Sequence, residues 1–144
     1  MSVARLCLGL VAACLFAGTA SANPAQDYIL YCMGCHGPQA EGVPGKVPPL
    51  AHTLGLYMKT PAGRNYVLRV PGAANSALSD SELAAVLNWL AVNYSPDESS
   101  SATPVFTAAE VAKLRHVPLV SVLAARREVI SAMAAVGQVP PPEN

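Results

Sequence analysis

Apolar residues recur at helical spacing along this chain and nowhere alternate for long enough to make a useful strand. The clearest stretch runs from Asp80 to about Tyr94, with Leu83, Val86, Leu87, Leu90 and Tyr94 on one face. Ser79 and Glu82 stand at capping-box spacing before it, and Leu78 and Leu83 at the matching staple positions. Asn23-Pro24 pairs a capping side chain with a proline at the first helical position. It predicts a helix over 25–32 with Tyr28, Ile29 and Tyr31 or Cys32 on its buried sides. Thr60-Pro61 repeats that signal for a short helix through Arg69, which must stop by Pro71. Thr107 and Glu110, with Phe106 and Val111 as staple, repeat the capping box and predict a helix over 108–116. Pro118 interrupts it. A second helix over 119–136 puts Leu119, Val122, Leu123, Val129, Ile130 and Met133 on one broad face and ends at Gly137. The fold class is all-α.

The ends and the linker differ from this pattern. Arg5 is the only charge before an apolar run from Leu6 to Ala17, and Ala20-Ser21-Ala22 follows as a small-x-small cleavage site. Residues 1–22 therefore read as an export signal cleaved after Ala22, which places the mature protein in the periplasm. The run is too short to span a bilayer comfortably, so no transmembrane anchor is expected. A lipoprotein box ending at Cys14 has too few apolar residues before it, so no lipid anchor is expected there either. Residues 96–104 are a polar linker and residues 138–144 a proline-rich, unstructured tail. Between them lie a main domain over 23–95 and a C-terminal two-helix extension over 105–137. The apolar stripe from Leu119 to Met133 is too wide to leave in water on a monomer. The extension should therefore form a hairpin-like unit packed on the main domain or on a partner.

Charge excludes one class of partner. The whole chain carries 9 basic and 9 acidic residues, so no nucleic-acid-binding face is predicted. Cys7 and Cys14 fall within the signal, which leaves Cys32 and Cys35 as the only thiols of the mature chain. They belong to Cys32-Met33-Gly34-Cys35-His36, the C-x-x-C-H pattern of covalent haem attachment. Two thiols at this spacing add to the two vinyl groups of the porphyrin, and His36 can then give a ring nitrogen to the iron as proximal ligand. A zinc site needs a second Cys or His pair at ligand spacing, which the chain lacks, and a thioredoxin-like site needs a βαβ context. One haem c, with its iron, is the expected cofactor.

The segment from about 24 to 94 resembles a class I (mitochondrial-type) monohaem cytochrome c in its bacterial form. The resemblance rests on Cys32-Met33-Gly34-Cys35-His36-Gly37, Gly42-Val43-Pro44-Gly45, Pro48-Pro49-Leu50-Ala51, and Leu78-Ser79-Asp80-Ser81-Glu82-Leu83-Ala84. It implies an N-terminal helix crossing the C-terminal helix of the haem domain, with Tyr28 and Tyr31 meeting Trp89, and haem in an apolar crevice. It also implies a proline carbonyl behind the haem histidine, for which Pro48 is the candidate. One feature departs from the family, which places an axial methionine in the loop before the final helix. Here Val70-Pro71-Gly72-Ala73-Ala74-Asn75-Ser76-Ala77 contains none. Met58, in an apolar segment, is the first candidate for the distal ligand. His52, an open position and Met133 follow.

Two propionates beside an apolar crevice need donors. Arg64 is the expected one, with Tyr66, Arg69 and Trp89 behind it. Arg126-Arg127 and His116 read as solvated helix faces. The expected function is electron transfer between a dehydrogenase and a downstream acceptor, with no catalysis of its own. The alternatives are a small haem subunit of a larger oxidoreductase, with the C-terminal helices as docking element, and a five-coordinate haem that binds a small ligand.

Overall fold

A computed structural model describes residues 23–95 and 104–138. The expected signal over 1–22, nearly all of the linker and the tail beyond 138 lie outside the described residues. Those described form helices, with a single isolated bridge between Val43 and Val47 and no strand. The helices are α1 (Pro24–Tyr31), α2 (Met33–His36), α3 (Leu54–Met58), α4 (Pro61–Arg69), α5 (Pro71–Ala74), α6 (Asp80–Tyr94), α7 (Ala108–Leu114) and α8 (Val122–Ala135). None of them is long and apolar enough to cross a membrane.

The capping signals act as written in most places. Asn23 Oδ1 accepts from Ala25 N at 3.1 Å, and Thr60 Oγ1 from Gly63 N at 3.0 Å. At α6 the box is reciprocal: Ser79 Oγ accepts from Glu82 N, and Glu82 Oε2 accepts from Ser79 N at 2.8 Å. At α7 only half of it forms. Thr107 Oγ1 accepts from Glu110 N, but the Glu110 carboxylate turns away to Arg64. α8 starts at Ser121 rather than near Leu119. It ends in a Schellman turn, with Gly137 at φ 73° and Gln138 N donating to Met133 O at 2.9 Å.

α1 crosses α6, and the crossing is aromatic. Tyr28 is 2 % exposed, its ring 5.9 Å from Trp89 and 6.1 Å from Tyr94, while Trp89 and Tyr94 meet edge to face at 5.6 Å. Tyr31 and Ile29, expected on the buried side, are largely exposed, because an eight-residue helix that crosses at one point buries one residue deeply. The Tyr28 hydroxyl donates to Gly37 O, and Tyr94 Oη to Pro38 O at 3.3 Å, so the crossing also fixes the turn after α2. α3 and α4 meet at Gly63, where any Cβ would overlap the Tyr57 carbonyl.

The C-terminal helices are not a hairpin. α7 packs on α6 and α4, and α8 on α4, so each covers a different part of the main domain. Phe106, Val111, Val129 and Met133 are all at most 4 % exposed and belong to the same core as Leu54, Leu68 and Leu90. Leu123 stays 71 % exposed. Three guanidinium groups fasten these helices. Arg64 binds Glu110 through both carboxylate oxygens, donates to the carbonyls of Met58, Pro104 and Val105, and lies 4.3 Å over the Phe106 ring. Arg69 donates to Val117 O and Pro118 O, each at 2.8 Å. Arg115, 6 % exposed, reaches the opposite way. It donates to the carbonyls of Ala74, Ser76 and Leu78 and forms an ion pair with Asp80 at 3.0 Å. Asn88 adds a two-way amide bond to Phe106, with Nδ2 donating to its carbonyl and Oδ1 accepting from its N–H.

This packing has measurable consequences. Arg115→Ala leaves the buried Leu78 carbonyl and the half-buried Ser76 carbonyl without this donor, and should cost about 3 kcal/mol in denaturant unfolding of the holoprotein. Tyr28 has its pKa pushed up to about 12, first by burial and then by neighbouring Tyr94. The unfolded phenol loses its proton near the ordinary value of about 10. Between those values the folded state therefore holds more proton than the unfolded one, and stability falls as pH rises through the interval. Tyr28→Phe should lower stability at neutral pH, by about 1 kcal/mol for the lost hydrogen bond. Its unfolding free energy measured against pH should then decline less steeply than wild type above pH 10.

Candidate haem site

α2 carries the C-x-x-C-H motif on a single turn. His36 N donates to Cys32 O at 3.0 Å and Cys35 N to the same oxygen at 3.1 Å, which brings the two thiols to one side of the turn. Cys35 is exposed and Cys32 half-buried. Burial, and then the charges of Asp27 and Cys35, push the Cys32 thiol up to about 11. The loop from 37 to 49 turns back on α2. Gly42, at φ 69°, donates to His36 O at 2.8 Å, and a Cβ there would overlap the Val47 carbonyl. Val43 and Val47 close the turn, which delivers Pro48 to the histidine.

His36 Nδ1 lies 3.0 Å from Pro48 O. A carbonyl only accepts, so the Nδ1 carries the proton and the lone pair of neutral His36 is left on Nε2. Burial holds the His36 pKa below its ordinary value, with the Pro48 bond acting weakly in the opposite sense. The ring therefore stays neutral near pH 7, the form that binds a metal.

Cys32, Cys35 and His36 open onto a crevice of about 290 Å³. Its floor is the apolar face of α6, with Leu83, Val86, Leu87 and Leu90. Pro48, Pro49 and Leu50 close the side behind His36, and residues of α3, α4 and α5 close the other. The lining suits a flat, largely apolar macrocycle joined through two thiols and one imidazole. Among the described residues no group of three or more His, Cys, Asp and Glu side chains gathers elsewhere to hold a bare metal ion.

Arg64 and the three candidates for the distal ligand fall outside this crevice, whereas Tyr66 lines it. Arg64 is not on its wall, because its donors are taken by Glu110 and the backbone of the C-terminal segment. The propionate role expected of Arg64 finds no support in this lining. Met58 is 2 % exposed and faces the core; on α3 it is Leu54 and Tyr57 that line the crevice, and the next residue turns through the roughly 100° step of a helix. His52 is exposed in a left-handed conformation, φ 58°, with its N–H on Tyr94 O. Met133 is fully buried on α8, away from the lining. None of the three is among the residues that line the crevice.

Arg126, read from sequence as a solvated face, is on the crevice wall instead. α8 carries it there as it packs on α4, and it hydrogen-bonds to Tyr57. Tyr57 and Tyr66 stack beside it with ring centroids 5.4 Å apart, both phenols pushed up chiefly by burial. Apart from His36, Arg126 and Lys46 are the cationic side chains of the lining. The sequence held one signal for Arg126. Only 12 % of the chain is charged, so a charge within an apolar helix had reason to be there.

No protein-family profile matches the chain. It is 33 % identical over 129 residues to a cytochrome c-552 of Thermus thermophilus, covering 76 % of this chain and 86 % of that protein. A second Thermus thermophilus cytochrome c-552 is 33 % identical over 117 residues, covering 67 % and 89 %. With an all-α fold around a crevice that opens on Cys32, Cys35 and His36, this chain belongs to the monohaem c-type cytochromes, electron carriers with one covalently bound haem c.

Proposed function

We propose that this cytochrome passes single electrons in the periplasm between a dehydrogenase and a downstream acceptor, with its haem joined to Cys32 and Cys35 and its iron on His36. The observation that carries the reading is the His36–Pro48 bond at the crevice wall, which fixes the tautomer and presents Nε2 to the cavity. When bound, the haem supplies a one-electron iron couple in a low-dielectric setting. The chain's part is to hold the ring, exclude water and set the local charge. Export is supported by the leader pattern of residues 1–22, since covalent haem of this kind is added outside the cytoplasm.

The propionates take Arg126 as their cationic partner in this reading, with Tyr57 and Tyr66 as neighbouring donors. A buried anion needs a positive or hydrogen-bonding partner, and Arg126 supplies both within an apolar lining. Pro48 is the outer-shell partner of His36. Val111 of α7 and Val129 and Met133 of α8 are buried against the main domain, so these side chains are not free to dock this protein into a larger oxidoreductase. A freely diffusing carrier is favoured over a fixed subunit on that ground.

Replacing both Cys32 and Cys35 by Ser should release all haem into acid–organic solvent, whereas the wild type retains it. Haem retained by the double variant would sink the attachment. Arg126→Leu removes a positive charge that favours the reduced state, so the midpoint potential should fall by on the order of tens of millivolts, read by redox titration. An unchanged potential would remove Arg126 from the propionates.

A further inference from the structure

The segment that should hold the iron's sixth ligand is in place, and it carries no ligating side chain. Val70, Gly72, Ala73 and Ser76, from the loop before α6, line the crevice together with Val67 of α4. Motif and histidine lie on α2, and the loop behind the histidine holds Pro48. A haem joined to Cys32, Cys35 and His36 in this crevice would therefore have Val67, Val70 and Ala73 among its other neighbours. Thioether and imidazole are the usual partners of iron opposite a histidine, and this wall carries neither.

The rest of the chain does not make up the lack. Outside the expected signal the chain contains Met33, Met58, Met133, His36, His52 and His116 and no other residue of either type. Met33 sits within the motif itself. Met58 is locked by its surroundings: α3 abuts α4 at Gly63, and Arg64 Nη1 donates to the Met58 carbonyl at 3.4 Å. Met133 is fully buried on a helix seated in the core. His116 follows α7 and is exposed, as is His52.

The polar side chains near the α4–α5 wall are already engaged. Ser76 Oγ donates to Ala73 O at 3.0 Å and accepts from Arg115 Nη2 at 3.3 Å. Tyr57 is hydrogen-bonded to Arg126, and burial favours the neutral phenol, a poor iron ligand. Lys46 stands two residues from Pro48, in the loop that backs His36. Arg115 also ties down the whole approach to α6 through the Ala74, Ser76 and Leu78 carbonyls, so the wall keeps its shape.

We infer that this cytochrome leaves the sixth iron position to an external neutral diatomic ligand, carbon monoxide or nitric oxide, which docks on the iron against Val67, Val70 and Ala73. The apolar wall favours a small uncharged molecule, since the side chains of Val67, Val70 and Ala73 offer an anion no donor. Ligand binding to the ferrous form stabilises that form, so the carrier's potential rises with ligand concentration. The inference rests on haem attachment at Cys32, Cys35 and His36, and goes beyond electron transfer to a way of modulating it.

The test uses the purified holoprotein reduced with dithionite and titrated with carbon monoxide, followed at the Soret band. Full conversion to a one-to-one adduct is expected, with no far-red sulfur-to-iron band in the ferric spectrum. Met58→Leu, Met133→Leu and His52→Gln should match wild type in both respects; the two methionine changes conserve volume and so keep the fold. A Soret band unmoved by saturating carbon monoxide means that a protein side chain, whether thioether, imidazole, amine or phenolate, holds the iron, and overturns the inference. A sulfur band in wild type that disappears from Met58→Leu or Met133→Leu overturns it too and names the ligand. Ala73→Met restores a thioether to the wall and should create the band while abolishing the carbon monoxide response. If it keeps the wild-type response with helical circular dichroism intact, the wall does not face the iron. Haem lost on acid–organic extraction would overturn the attachment and this inference with it, whereas retained haem with a silent titration overturns the inference alone.

Discussion

Everything in this fold depends on arginine forks that satisfy carbonyls which its short helices cannot satisfy themselves. Each helix leaves its last four carbonyls without an internal partner, so helices of four to nine residues are mostly ends. α3 and α5 are of this kind. Arg64 reaches the carbonyl that ends α3, and Arg115 reaches that of Ala74 at the end of α5 and two more beyond it. A planar fork with five donors suits several carbonyls at once, where a lysine would supply one charged point. The forks run in both directions: Arg64 and Arg69 leave the main domain for the C-terminal segment, and Arg115 returns. The two parts are consequently one structural unit, although the sequence between them is polar and linker-like.

How much of this was legible differs by kind of information. Capping residues were read correctly at Asn23, Thr60, Ser79 and Thr107, because a cap is a local hydrogen bond three residues long. Half of the Thr107 box failed because Glu110 had a stronger partner. A bidentate guanidinium in a partly buried site outweighs one backbone N–H. The same tertiary event turned Arg64 away from the crevice. Sequence periodicity reports which face of a helix is buried, but not what it is buried against, so α8 could be foreseen as amphipathic while Arg126 was misread as solvated. The helical step likewise separated Met58 from Tyr57, which a reading by segment hydrophobicity had treated alike.

The C-x-x-C-H motif was legible for a different reason. Its chemistry is written into one turn of chain, and the structure adds only the surroundings: Pro48 behind His36 and α6 beneath the ring position. Those surroundings are nonlocal, but they too arise from local turns. The left-handed Gly42 and the Val43–Val47 closure return the chain to α2 over a loop of a dozen residues. The Tyr28 hydroxyl and Tyr94 hold the beginning of that loop from the helix crossing. A single aromatic crossing thus positions both the cysteines and the loop that orients the histidine.

The two sides of the crevice are therefore controlled by separate devices, and this bears on how the iron can respond to a change of charge. The His36 side is set by the crossing of α1 and α6. The α4–α5 side is set by Arg115, which reaches it from the C-terminal segment and is itself held by Asp80 in the first turn of α6. Small motions of one side need not be passed to the other except through α6, the longest helix among the described residues and one with a reciprocal capping box. A carrier works best when little moves as the electron arrives, since every rearranged dipole adds to the barrier. Fixed carbonyls around a buried guanidinium meet that need. Rigidity of the wall and the identity of the iron's ligands are separable properties in this protein. That is how a member of the family can lack a methionine in the loop before its final helix and still keep an apolar face on the crevice.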